Sequence, residues 1–180
     1  MVRLGACVLG AWFLAFSPAL ATAPNQADID KAVEAINSAR AAVTEALNKA
    51  PLGFRRILFV SEVPDGFAAY KPRADNVFKT DEPLIIYAEP IGVEWKKDGE
   101  EFSSKLVVDF EIRSPDGQVL AGQRGFGEFA LSAREPPLDY MSHIKLDVTG
   151  APAGSYILGL TIHDSNSGKS TSTDLPFEIK

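Results

Sequence analysis

The amino-acid sequence predicts a mainly β chain: an antiparallel β-sandwich of about seven main strands preceded by one amphipathic α-helix. Two observations carry this. Apolar residues recur every three or four positions up to the Pro51–Gly53 region, and from Ile57 onward they alternate with polar ones at a period of two. Pro and Gly clusters then punctuate the alternating runs, as expected where neighbouring strands are joined by turns. Composition agrees, with 46% hydrophobic and 23% charged residues, a globular balance that excludes wholesale disorder. The 180 residues suit one domain with an extension.

The extension starts with a leader over residues 1–21. Arg3 supplies the positive start, residues 4–16 are apolar or small, and Pro18 precedes the small-x-small sites Ala19-Leu20-Ala21 and Ala21-Thr22-Ala23. Cleavage after Ala21 is favoured, because cutting after Ala23 would place Pro24 at the new terminus. The apolar run is too short to span about 30 Å of hydrocarbon, so no transmembrane segment is expected after cleavage. Cys7, the single cysteine, sits at the start of the apolar run rather than after it, which disfavours lipidation. Without the leader the chain has no thiol, so its stability must come from its core.

Residues 22–53 read as the helix. Asn25 is the expected N-cap, with Asp28 near the positive end of the helix dipole. Ile29, Val33, Ile36, Val43 and Leu47 form one stripe, interrupted by Arg40, beside an alanine stripe of Ala32, Ala35, Ala39, Ala42 and Ala46. Pro51 and Gly53 end it. The apolar face is expected to pack on the chain's own sheet, with helix-mediated self-association as the alternative that Arg40 weakens.

Residues 54–180 read as the sandwich, with strands at 57–63, 84–92, 103–113, 118–122, 143–149, 155–164 and 171–179. Leu84, Ile86 and Ala88 share one face. Leu106, Val108, Phe110 and Ile112 alternate with Val107, Asp109, Glu111 and Arg113. Pro115-Asp116-Gly117 and Asn166-Ser167-Gly168 are turns.

The stretch Ala151-Pro152-Ala153-Gly154-Ser155-Tyr156-Ile157-Leu158-Gly159-Leu160, running on through His163-Asp164 and closed by Phe177-Glu178-Ile179, resembles the end of a bacterial immunoglobulin-like domain. The resemblance places Tyr156 at a tyrosine corner and Leu158 where an antibody domain keeps its second cysteine. Upstream, Gly66-Phe67, Tyr70, Pro72, Phe78, Glu82, Leu84, Tyr87 and Glu89 resemble a pattern of uncharacterised exported bacterial proteins. The resemblance implies an immunoglobulin-like fold and carries no activity.

Motifs that would carry chemistry fail on spacing or context. Ser167-Gly168-Lys169-Ser170-Thr171 has the tail of a phosphate loop, but His163 stands where that motif needs glycine and a strand follows. Gly122, Gly125 and Gly127 reverse the dinucleotide spacing and suit a bulge. His143 and His163 belong to no ligand pair, Glu100, Glu101 and Glu135 lie in turn-like segments, and Asp98-Gly99 and Asp116-Gly117 are turns. The expectation is therefore a non-enzymatic binding or assembly protein of the bacterial periplasm or exterior, with no catalytic residue, metal or cofactor. Its partner would be a protein or an envelope component. Nucleic acid is excluded on net charge, −6 with pI ≈ 5.0. Binding is assigned to the loop aromatics Trp95, Phe67 and Tyr70, which bury much area at little entropic cost. Their bland alternative is a satellite core that includes Phe78. Two other readings are a carbohydrate-binding module stacking sugars on Trp95 and Tyr70, and a hydrolase using His163 and Asp164.

Overall fold

The computed structural model describes residues 25–180; the predicted leader lies outside the described residues. Among these, one helix, α1 (Gln26–Lys49), precedes nine strands, and the chain is mainly β. The strands are β1 (Gly53–Phe59), β2 (Val77–Phe78), β3 (Leu84–Ile91), β4 (Lys96–Asp98), β5 (Glu101–Arg113), β6 (Val119–Ala133), β7 (Ser142–Leu146), β8 (Gly154–Asp164) and β9 (Ser170–Ile179). The chain divides after Ile36 into two compact units, and all strands lie in the second, Asn37–Lys180. None of the described helices is long and apolar enough to cross a membrane.

α1 starts where its cap predicts, with Asn25 Oδ1 accepting from the Asp28 amide at 3.0 Å. Its apolar stripe behaves differently from the expectation. No residue of α1 is buried, and Ile36 is 65% exposed. The predicted packing is met only towards the C-terminal end of the helix, where Leu47 is half-buried and lines a cleft with strand residues. The helix stands on intrinsic propensity and on links one turn apart, Gln26 to Asp30 at 2.8 Å and Lys49 to Glu45 at 2.5 Å, so burial is not required to form it.

Two sheets enclose one core. The smaller has the order β1-β3-β7; in the larger, β2-β9-β8-β5 run side by side and both β4 and β6 pair with β5. All pairings are antiparallel except β2 with β9. Alternation decides what faces inward: Leu84 and Ile86 of β3, Ile144 and Leu146 of β7, Leu106 and Val108 of β5, and Leu158, Leu160 and Ile162 of β8 are all buried. Each such side chain contributes about 1.5–3 kcal/mol on leaving water. Phe59, Phe78 and Phe177 close one end as a trio of edge-to-face rings, with centroids 5.1–6.1 Å apart. Phe78 thus belongs to the main core, not to a satellite.

Five of the seven expected strands match within a few residues; the other two differ in extent. β1 begins at Gly53 and ends at Phe59; Val60 still donates to the Ile85 carbonyl of β3 at 2.9 Å but forms its bridge with Pro72. β6 is far longer than the expected 118–122. Its Gly-Gln-Arg-Gly-Phe-Gly run reads as a turn because it lacks alternation, yet the ladder to β5 holds it from Val119 to Ala133. β2 and β4 are two and three residues long, too short for any period to reveal.

Candidate functional site

β3 is central in its sheet and is buried on both faces. Its outward pair, Tyr87 and Glu89, is 0% and 2% exposed, because the segment between β1 and β2 folds across it. Burying a carboxylate in isolation would cost several kcal/mol, so its partners matter. The Tyr87 hydroxyl donates to Glu89 Oε1 at 2.7 Å and accepts from the Ala68 amide at 2.9 Å. Arg55 Nη2 lies 2.6 Å from Oε2 as an ion contact without a directed hydrogen bond, and Arg56, opposite Glu89 in the ladder, lies 3.9 Å from Oε1. Burial, then the bond to Glu89, pushes the Tyr87 hydroxyl above its ordinary value. Ala68 holds φ at 58°, a left-handed conformation that the bond to Tyr87 helps to secure.

Beside this network lies a cleft of about 340 Å³, walled by Val43 and Leu47 from α1, Phe67, Trp95, Pro136, Pro137, Leu138 and Tyr140, with Glu89 and Arg55 on its polar side. Three local devices build it. Gly92 turns the end of β3 at φ 70°, where a Cβ would sit 2.3 Å from the Pro51 carbonyl oxygen, so only glycine fits. Asp164, 1% exposed, accepts from the Glu94 amide and from Ser167 Oγ, both at 2.8 Å, and this anchors the segment that carries Trp95. Trp95 then meets Tyr140 edge-to-face at 5.8 Å. Burial raises the Tyr140 hydroxyl above its ordinary value, against the opposing pull of the neighbouring Ser104 side chain.

Of the predicted binding residues, the fold brings Trp95 and Phe67 together in this cleft. Tyr70 is elsewhere. It stacks on Tyr87 with centroids 4.2 Å apart and lies under the Arg56 guanidinium, so it roofs the buried network rather than offering a free ring. A sugar platform of Trp95 with Tyr70 is not assembled.

His163 and Asp164 also part company. As neighbours in a strand they point to opposite faces, Asp164 inward. His163 instead joins a row on the outer face of the larger sheet, with Nε2 2.9 Å from Asp109 Oδ2 and Nδ1 2.7 Å from Ser170 Oγ. Asp109 Oδ1 accepts from the Gly125 amide at 2.7 Å, and that bond foremost holds its carboxyl below the usual range. Sequence reasoning missed this row, although strand register signals it: His163 pairs with Ser170, and Asp109 with Thr161 two places away. Ser170 is exposed at the margin of an open, largely polar concavity of about 940 Å³ on this face, lined by Asp109, His163 and Ser172, where water would meet an oxyanion. His143 lies in the other sheet, opposite Tyr87. No group of three or more His, Cys, Asp or Glu among the described residues is arranged to hold a metal ion.

No family model matches the chain, and no curated protein does. Fourteen chains of solved structures match. One is Pseudomonas fluorescens alkylpurine DNA glycosylase AlkC bound to DNA containing an abasic site analog, at 15% identity and a TM-score of 0.37, covering 73% of this chain and 31% of that chain. The chain thus spans about a third of the glycosylase's length, and a likeness of this depth carries no argument about activity. The expected exclusion of nucleic acid does not stand, because it rested on net charge alone. Net charge sums over the whole molecule and says nothing about one face.

Proposed function

We propose that this chain is an exported, non-enzymatic binding domain on an immunoglobulin-like sandwich, and that it holds an apolar group of its partner in the cleft of Trp95 and Phe67. The convergence of Trp95, Phe67 and Tyr140 around one mostly apolar opening carries the reading. For the fold, the support is a tyrosine corner: the Tyr156 hydroxyl donates to the Pro152 carbonyl at 2.6 Å, and its ring stacks on Phe177 at 5.4 Å. Export is supported by the leader pattern alone. The non-catalytic reading is supported by the separation of the two histidines onto different sheets and by the open setting of Ser170.

The test uses fluorescence. In a Trp12→Phe background Trp95 is the single tryptophan. An anilinonaphthalene dye is expected to quench it by energy transfer at micromolar concentrations, and Leu138→Glu is expected to weaken that uptake about tenfold by placing a charge in the cleft. Dye uptake that ignores both Leu138→Glu and Trp95→Ala would remove the cleft as the site.

A further inference from the structure

β6 is the longest strand and pairs on one side only. Between Gln123 and Gly127 it inserts extra residues opposite Asp109, with Gly125 at φ 59°, and this bulge leaves a regular ladder from Gly127 to Ala133 against Phe102–Val108. In an antiparallel ladder each residue directs its amide and carbonyl to one neighbour, and the next residue directs them to the other side. Every second residue of this run therefore offers both groups to an edge that no strand occupies among the described residues. Native edges are usually blunted by charged residues, proline or a β-bulge; in β6 the bulge and Arg124 lie before Gly127, and from Gly127 to Ala133 there is no proline and one charge, Glu128, paired with Lys105.

The adjoining surface is mostly apolar, with Glu128 and Asp139 as its charged members. A groove of about 360 Å³ runs beside the same stretch, lined by Phe129, Leu131, Phe67, Tyr140 and Met141, and Leu131 is 39% exposed. Phe67 and Tyr140 also wall the Trp95 cleft, so the two openings are neighbours that share these side chains.

We propose that the edge of β6 from Gly127 to Ala133 docks an extended segment of another polypeptide, apolar at every second position, which adds a strand to the sheet and seats its side chains in the Phe129–Leu131 groove. An extended backbone is the occupant because only it matches the alternating free donors and acceptors, and the groove lies where its alternate side chains point. This rests on the binding reading above and names the class of its partner.

The probe is a synthetic peptide as long as Gly127–Ala133, alternating valine with threonine and capped by lysines, against a permuted peptide with its valines clustered. Amide hydrogen exchange of the full chain is the readout. The alternating peptide is expected to slow exchange at every second amide of Gly127–Ala133, and the permuted one to leave them unchanged. Ala130→Pro and Leu131→Pro remove amides that point in opposite directions, so one breaks the ladder while the other keeps the fold and loses the peptide. Leu131→Lys, at an exposed position, is expected to weaken binding at least about tenfold. Trp95→Ala is expected to keep the β6 protection. Undiminished peptide binding by Leu131→Lys and the folded proline variant would overturn the proposal, as would equal protection by the permuted peptide. Protection that rises with protein concentration alone would overturn it in favour of a second copy. Dye uptake that ignores both Leu138→Glu and Trp95→Ala, with β6 protection intact, would sink the cleft reading and leave the strand edge standing.

Discussion

Two outer faces of the sheets carry the same chemistry in different surroundings. On the smaller sheet, Tyr87 and Glu89 hydrogen-bond under the segment that follows β1 and are essentially inaccessible, with the half-exposed Arg55 and Arg56 making ion contacts to Glu89 from the solvent side. On the larger sheet, Asp109, His163 and Ser170 form a row of similar lengths, with the His163 side chain 41% exposed. The bonds look alike on paper. What separates them is the alternative open to each group: water can replace a partner on the exposed face, and nothing can replace one under the cover. Burial, not bond length, therefore decides how much each row contributes.

Substitutions can break or sharpen this contrast. The largest effect is expected from Glu89→Ala, which leaves the buried Tyr87 hydroxyl without its acceptor while the half-exposed Arg55 turns to water, at a cost of about 2–3 kcal/mol in denaturant unfolding. A cost below about 1 kcal/mol would mean that water reaches this site and would erase the difference between the faces. Tyr87→Phe should lie in between, at about 1–2 kcal/mol, since it strips the donor from Glu89 and the acceptor from the Ala68 amide while keeping the stack on Tyr70.

The smallest effect is expected from Asp109→Asn, below about 1 kcal/mol at neutral pH. Its pH dependence is the sharper signal. The Asp109 carboxyl is held below its ordinary range, chiefly by the Gly125 amide, so the stabilisation is present above the ordinary aspartate value and is lost as pH falls through the lowered one. Wild type and variant should therefore differ at neutral pH and converge under strong acid. Parallel stability curves down to the acid limit would show that the exposed row contributes nothing.

These contrasts also show how much was legible beforehand. The buried stripe Leu158, Leu160, Ile162 was readable because alternation is a local property of each strand. So was the Asn25 cap, which needs only its next few residues. Trp95 and Phe67 were readable as loop aromatics from the turn signals around them, but their meeting in one cleft was not. It depends on Gly92 and Asp164, which fix the Trp95 segment through contacts to residues far away in the chain. Tyr70 carried the same signal as Phe67 and was placed differently, because the face it covers belongs to Tyr87, hidden in a run that reads as one-sided.

The amino-acid sequence by itself determined the period of each segment, and with it the mainly β class, the helix, the turns and the inward stripe. These follow from side-chain direction along a single strand or helix, which near neighbours dictate. Only the tertiary structure decided that β6 extends to Ala133 with an open edge, that Glu89 is covered while Asp109 is not, and that His163 faces Ser170 instead of Asp164. Those outcomes depend on which strands lie side by side and in what register. Register is set by the burial of the whole core at once, and no local window contains it.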